Sequence, residues 1–127
     1  MTVPDTDIAR LQRGVFRGIQ AGSVSSESKT TLLYAEEGTS ATGTIFRTPN
    51  STVLKVNGKA DASTGGDMDT QYLIAHMPLL MHPSARTTCI IGYGSGATVH
   101  AVATYPTVEQ IDVVEIEQAV LNVSPYF

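Results

Sequence analysis

The sequence predicts an α/β protein in which a small antiparallel β unit precedes a β-α-β unit with two parallel strands. Three observations carry this prediction. Segments between residues 30 and 57 are rich in Thr and alternate apolar with polar side chains, as half-buried strands do. From Met68 the apolar residues change to helical spacing. An apolar run at 88–91 then enters a glycine-rich turn, and a second apolar run at 110–116 ends in carboxylates.

The composition predicts a globular protein without a general affinity for nucleic acid. Of the 127 residues, 42% are hydrophobic, which argues against disorder. The formal net charge is −4 and no basic stripe is present, so we expect no nucleic-acid partner. No apolar run approaches the roughly 20 residues of a membrane span, and the acidic N-terminus does not resemble a secretory signal. We therefore expect no membrane contact by this segment.

The first half of the chain divides into an N-terminal arm and the β unit. Residues 1–28 are predicted to form a short helix or arm followed by a loop, because near-helical apolar spacing is weakened there by glycines. Residues 29–60 are predicted to form the antiparallel unit. Its strand patterns and their turn follow in order at 30–35, 39–47, 48–51 (the turn) and 52–57.

Residues 61–83 are predicted to hold the rest of a glycine-rich connection that begins at Gly58, and then a helix. Asp67 or Asp69 is expected to cap the start of this helix. Pro78 lies late in the helix and is expected to distort or end it, because proline lacks the backbone N–H.

Residues 84–127 are predicted to form a partial nucleoside-binding domain with a parallel β-α-β unit. Its elements are expected at 88–91 (strand), 97–105 (helix), 110–116 (strand) and 117–127 (start of a further helix). The chain stops before that helix leads to another strand, so the domain reads as truncated, with Val120, Val123 and Phe127 exposed. The lone Cys89 fits a reducing cytoplasmic compartment, and we expect it to be buried as a small apolar side chain.

The glycine turn is the first candidate functional feature. Gly92, Gly94 and Gly96 permit a sharp backbone turn and close approach to a ligand. Glu115 lies about twenty residues downstream, where Rossmann-like folds place an acid that accepts hydrogen bonds from a ribose diol. This pattern predicts a nucleoside site. A nicotinamide cofactor and an adenosylmethionine-type ligand both fit it.

Residues around the turn decide between these ligands. The relevant motifs are Asn57-Gly58, His76-Met77-Pro78-Leu79, His82-Pro83, Tyr105-Pro106-Thr107-Val108 and Val114-Glu115-Ile116-Glu117. With the glycine turn they resemble the spermidine synthase (polyamine aminopropyltransferase) family over residues 52–127. Residues 57–71, with 11–17 before them, are most similar to a branch in which the synthase-like domain follows a membrane-embedded transporter-like domain. The resemblance implies a Rossmann-like fold of the adenosylmethionine-methyltransferase type.

The resemblance also implies ligands and roles. Decarboxylated S-adenosylmethionine, or S-adenosylmethionine, is the implied co-substrate, and a polyamine is the implied acceptor. Glu115 matches the acid that binds the ribose hydroxyls, and Gln71 matches a glutamine beside the aminopropyl donor. Gly92, Gly94 and Gly96 match the turn under the amino-acid side of the nucleoside.

The sequence departs from the family pattern at several of these positions. Ser95, still assigned to the donor site, replaces an Asp that fixes the ammonium group of the donor, and supplies no charge. Asp61 replaces a usual Gln and Thr70 replaces a Tyr near the polyamine; both are assigned to substrate binding. Tyr72 replaces a nearby Glu. Donor binding is therefore expected in outline, with altered diamine specificity and weak affinity.

No catalytic residue is assigned. The family Asp that deprotonates the attacking amine falls beyond position 127, so the chain alone is expected to be inactive. We assign no metal, because Asp61, Asp67 and Asp69 lack the spacing of an EF-hand loop. Sheet edges left open by two parallel strands predict a homo-oligomer. The expected location is cytoplasmic, with the parent protein tethered to the cytoplasmic side of a membrane.

The parent of this segment is thus expected to transfer an aminopropyl group to a polyamine. Two alternatives remain open. The first is an adenosyl-nucleoside-binding domain without chemistry, and the second is an S-adenosylmethionine-dependent methyltransferase.

Overall fold

The computed structural model describes residues 30–127, so the arm expected for residues 1–28 lies outside the described residues. The elements are β1 (Thr31–Glu37), β2 (Thr42–Arg47), β3 (Thr52–Val56), β4 (Lys59–Ser63), α1 (Met68–Met81), β5 (Thr87–Ile91), α2 (Ala97–Ala103), β6 (Gln110–Val114), α3 (Gln118–Asn122) and a closing 3-10 turn (Ser124–Tyr126). The predicted order, an antiparallel β unit followed by a parallel β-α-β unit, is confirmed.

The antiparallel unit is a four-stranded sheet in the order β1-β2-β3-β4. Its fourth strand, Lys59–Ser63, lies in the segment that the sequence pattern assigned to a glycine-rich connection. The turn before it explains the difference: Asn57 (φ 49°) and Gly58 (φ 80°) both have positive φ, which reverses the chain in two residues. Ala62 then packs against Leu54 in the core.

Two helices lie on one face of the two-stranded parallel sheet. One is α2, the crossover helix of the β-α-β unit, and the other is α1, which precedes the unit. β5 and β6 pair in register from Thr87↔Gln110 to Ile91↔Val114. Small side chains let α1 and α2 approach closely, and the core between them is formed by Ala75, Leu79, Ala101 and Val102. The other face of this sheet carries Ile91 and Val114, which are 88% and 56% exposed.

α1 runs through Pro78 without ending there and continues to Met81. Asp67 is its N-cap residue by position, but its side chain makes no capping hydrogen bond. His76 fixes the helix to the segment after α2, because its Nδ1 lies 2.7 Å from the Tyr105 hydroxyl. Among residues 30–127 no helix is long and apolar enough to cross a membrane.

Two burial predictions are wrong. Val120 and Val123 were expected to be exposed, but they are 5% and 0% exposed because α3 turns back onto the antiparallel unit and packs on Ile45 and Leu54. Cys89 was expected to be buried, but it lies on the open face of the parallel sheet and is exposed. An alternating strand presents every second residue to the face that no described element covers.

Candidate functional site

The glycine turn follows β5 directly. The backbone N–H of Gly92 donates to the Val114 carbonyl at 2.7 Å, which extends the parallel pairing by one step. Gly92, Gly94 and Gly96 have φ values of 88°, 58° and 81°, a region that L side chains rarely adopt. The Tyr93 ring folds over Gly96, where a Cβ would lie 2.8 Å from the tyrosine oxygen. The positive φ therefore favours glycine at position 96, and a Cβ there would also require the Tyr93 ring to shift.

Glu115 lies at the end of β6, beside this turn, as its spacing predicted. Its Oε2 accepts a hydrogen bond from the Tyr93 N–H at 2.8 Å, and its Oε1 accepts from the Glu117 N–H at 3.0 Å. Two backbone donors thus fix the orientation of the carboxylate. Each carboxylate oxygen has a further lone pair, so the group can still accept hydrogen bonds from a diol.

Gln71 and Ser95 meet where α1 begins and the glycine turn ends. The Ser95 hydroxyl donates to Gln71 Oε1 and accepts from the Ala97 N–H at 3.2 Å. The amide nitrogen of Gln71 donates to the Ser63 carbonyl at 2.9 Å and to Asp67 Oδ2 at 3.0 Å. These bonds join β4, α1 and the turn into one network. They also occupy the polar side-chain atoms of Gln71 and Ser95, the two residues that the resemblance assigned to donor binding.

The two residues assigned to substrate binding lie apart from this network. Asp61 forms an exposed ion pair with Lys59, whose Nζ lies 2.7 Å from Oδ1. Thr70 is exposed in the first turn of α1. Neither shares a hydrogen bond with Gln71, Ser95 or Glu115 among the bonds of residues 30–127. The same part of the chain contains no group of three His, Cys, Asp or Glu side chains arranged to hold a metal ion.

A cavity of about 360 Å³ lies next to the end of the turn. Its walls are mainly aromatic and hydroxyl-bearing side chains from the residue after β4, from α1, the turn and α2, and from the C-terminal residues 124–127. They are Thr64, Met68, Tyr72, Tyr93, Ser95, Gly96, Ala97, His100, Ser124 and Phe127. Most of these residues were not assigned to the site from sequence, because their proximity depends on how the two units pack.

The side chain of Glu117 joins the start of α3 to the loop between β1 and β2. It is 4% exposed, and its carboxylate accepts hydrogen bonds from the N–H groups of Ser40 at 2.9 Å, Ala41 at 3.0 Å and Ala119 at 3.4 Å. Gly38 approaches so closely that a Cβ there would collide with the Glu117 carboxylate. The Ser40 hydrogen bond is the largest cause that lowers the pKa of Glu117, and the bonds from Ala119 and Ala41 act in the same direction.

The fold and this site define a class of protein: a Rossmann-like α/β domain with a glycine turn and an acid at the end of the second parallel strand. Comparison with known proteins shows similarity to one family over part of the chain. Residues 68–127 match the model of the spermine/spermidine synthase domain. This segment is therefore spermidine-synthase-like, as the sequence motifs predicted.

The chain is also similar to curated proteins whose names describe several polyamine-related activities. The chain is 37% identical over 75 residues to putrescine N-methyltransferase 2 of Nicotiana tabacum, covering 59% of this chain and 21% of that protein. It is equally identical, at 37% over 75 residues, to spermidine synthase of Coffea arabica, covering 59% of this chain and 24% of that protein. It is 31% identical over 71 residues to polyamine aminopropyltransferase of Lachnoclostridium phytofermentans, covering 56% and 25% of the two chains. The chain thus spans about a fifth to a quarter of the length of these relatives.

Solved structures confirm the fold. Spermidine synthase from Thermotoga maritima matches with a TM-score of 0.70 and 23% identity, over 76% of this chain and 33% of that one. A spermidine synthase in complex with the transition-state analogue AdoDATO matches with the same TM-score of 0.70, identity of 23% and coverage of 76% and 33%. The fusion to a transporter-like domain stays a prediction.

Proposed function

We propose that this chain forms the adenosyl-nucleoside-binding part of a spermidine-synthase-like transferase. The observation that carries the proposal is the carboxylate of Glu115, held by two backbone N–H groups next to the three positive-φ glycines. A nucleoside bound there presents its ribose diol to Glu115. Its sulfur-bearing side lies along the turn, where glycine leaves room for close contact.

Aminopropyl transfer to an amine is the reaction we infer for the whole protein. The donor is decarboxylated S-adenosylmethionine, and the acceptor is a polyamine or a related amine. The match of residues 68–127 to the spermine/spermidine synthase domain supports this inference. So does the likeness to proteins named spermidine synthase and polyamine aminopropyltransferase.

Methyl transfer from S-adenosylmethionine is the second candidate. Several of the similar relatives are named putrescine N-methyltransferase. In addition, Ser95 supplies no negative charge, and its hydroxyl is already bonded to Gln71. Both donors carry an ammonium group, which has no carboxylate partner at Ser95, so this feature does not distinguish the two reactions. A nucleoside-binding domain without chemistry would share the site but transfer nothing.

Binding of methylthioadenosine tests the site directly, because this uncharged nucleoside contains the ribose and sulfur common to both donors. We expect saturable heat in titration calorimetry with the 127-residue chain. Glu115→Gln should weaken binding by roughly 10- to 150-fold, because one hydrogen bond to a charged acceptor contributes about 1.5–3 kcal/mol. Glu37→Gln is the matched control, since Glu37 is exposed at the end of β1.

Two results would count against the proposed site: equal affinity in the chain and Glu115→Gln, or binding of NAD without binding of any adenosyl nucleoside. Because the 127-residue chain alone is expected to be inactive, the whole protein is then incubated with decarboxylated S-adenosylmethionine or S-adenosylmethionine, each with putrescine, to distinguish the candidate reactions. Chromatography identifies an aminopropylated or a methylated product. Nucleoside binding with neither product would support the non-catalytic alternative.

A further inference from the structure

The carboxylate of Asp67, at the start of α1, contacts Ser63 and Gln71 instead of capping the helix. Its Oδ2 accepts hydrogen bonds from the Ser63 N–H and from the Gln71 amide nitrogen, both at 3.0 Å. Its Oδ1 accepts from the Ser63 hydroxyl. All three donor groups are neutral, and within residues 30–127 the ion pairs join other residues. Asp67 therefore places a negative charge among neutral partners, next to the glutamine of the candidate site.

Asp67 also fixes the direction in which the Gln71 amide faces. A carboxylate only accepts hydrogen bonds, so the nitrogen of the amide must be the end that faces it. The same nitrogen donates its second hydrogen to the Ser63 carbonyl at 2.9 Å. The amide oxygen is thereby directed to Ser95, whose hydroxyl donates to it. The carboxylate thus sets the orientation of a group that lies between it and Ser95.

Gln71 and Ser95 both keep acceptor capacity in this arrangement. An amide oxygen and a hydroxyl oxygen each have two lone pairs. Among the hydrogen bonds of the described segment, Gln71 Oε1 accepts one, from Ser95, and Ser95 Oγ accepts one, from the Ala97 N–H at 3.2 Å. Ser95 also lines the cavity beside the glycine turn. Two neighbouring oxygens can therefore accept from an ammonium group, which has several N–H donors.

We propose that Asp67 is the positioning residue for the ammonium group of the donor, and that it acts through Gln71 and not by contact. The ammonium group donates to Gln71 Oε1 and Ser95 Oγ. Asp67 holds the amide so that its oxygen faces this group, and the charge of the carboxylate polarises the amide and strengthens its oxygen as an acceptor. A serine at position 95 is then compatible with a cationic donor. This inference rests on the proposed function, which supplies the donor, and it applies to aminopropyl and methyl donors alike.

Two nucleosides with an uncharged sulfur isolate this role. Methylthioadenosine has no ammonium group, whereas decarboxylated S-adenosylhomocysteine carries one on the same adenosyl thioether. Each is titrated by calorimetry into the 127-residue chain, Asp67→Asn and Asp69→Asn. Asp69→Asn is the matched control, because it removes the same charge at the same end of α1 from an exposed side chain outside the network. Asp67→Ser, which keeps a good N-cap residue, is the second variant if Asp67→Asn does not fold.

We expect Asp67→Asn to bind decarboxylated S-adenosylhomocysteine roughly tenfold more weakly than the unmodified chain does, because an attractive charge is lost. Its affinity for methylthioadenosine should change by less than about twofold. Asp69→Asn should bind both nucleosides as the unmodified chain does.

Equal weakening of both nucleosides in Asp67→Asn would indicate a purely structural role and overturn the proposal. Unchanged binding of both would overturn it as well, and in either case methylthioadenosine binding by the unmodified chain would leave the proposed function standing. Binding of neither nucleoside to the unmodified chain would count against the proposed function and this inference together.

Discussion

The carboxylate of Glu115 and the backbone N–H of Tyr93 are joined by a hydrogen bond of 2.8 Å. This bond connects the end of one parallel strand to the turn that follows the other. The candidate ribose-binding group therefore has its orientation set by the same turn that would contact the rest of the nucleoside. Such preorganisation reduces the entropy that a ligand must overcome on binding.

Gly96→Ala should destabilise the fold by roughly 1–3 kcal/mol, because an L side chain in this left-handed conformation is strained and would also meet the Tyr93 oxygen. Gly66→Ala is the control, since Gly66 has open space around it. Urea unfolding followed by circular dichroism measures both variants. Equal midpoints would show that the turn adapts to a side chain.

Leu79→Ala should lower the free energy of unfolding by roughly 2–5 kcal/mol, the usual range for an emptied core site. Leu79 is 5% exposed between α1 and α2, whereas the neighbouring Leu80 is 68% exposed. Leu80→Ala should change the free energy by no more than about 0.5 kcal/mol. Chemical denaturation of the two variants checks the expected contrast, and similar losses would contradict this placement of the helix.

Stability should decrease at acidic pH partly through Glu117. Backbone hydrogen bonds lower its pKa in the folded state below the ordinary value of 4.5. Its contribution is therefore complete above the unfolded-state pKa and is lost as the pH falls through the folded-state pKa. Glu117→Gln should be less stable at pH 7 and should lose less stability on acidification.

Urea midpoints measured from pH 7 down to pH 3 provide this test, with Glu37→Gln as the control for an exposed glutamate. The Glu117→Gln curve should converge with that of the unmodified chain at the acidic end. Parallel curves at all pH values would exclude a contribution from the titration of Glu117.

Self-association should involve the parallel sheet and not the C-terminal helix, because α3 is already packed on the antiparallel unit. Within residues 30–127 this sheet has two strands, and its uncovered face carries Ile91. Open edges and apolar faces of this kind favour pairing with a second chain. Light scattering after size exclusion should show a homo-oligomer.

Ile91→Lys should shift that oligomer toward monomer. Ile116→Lys is the control, because Ile116 is similarly exposed, at 89% against 88%, but lies outside the strands. A monomeric unmodified chain at micromolar concentration would contradict the expectation.

The regular elements were predictable because their signals are local. The spacing of Gly92, Gly94 and Gly96 before an apolar helix, and of Glu115 after a strand, predicted the β-α-β unit and the position of the acid. β4 was missed because Lys59–Ser63 has no β-branched or aromatic residue, so only the two-residue turn before it indicates a strand.

Interactions between distant segments could not be predicted in the same way. The bond between Ser95 and Gln71 depends on how α1 packs beside the turn. The burial of Val120 and Val123 depends on which surface α3 contacts, and an apolar helical pattern does not specify this surface. The exposure of Cys89 similarly reflects which face of its strand the helices cover.

The contact between Glu117 and the loop at Gly38 has a consequence for sequence change. The glutamate occupies the space where a side chain at position 38 would extend, and it binds the backbone of Ser40 and Ala41. Position 38 should therefore accept alanine or serine only when position 117 carries a shorter residue, and that exchange removes the loop contacts. In a pairwise mutational scan the two sites should show strong epistasis. The substitutions that the first hairpin accepts should therefore depend on those present in the nucleoside-binding segment.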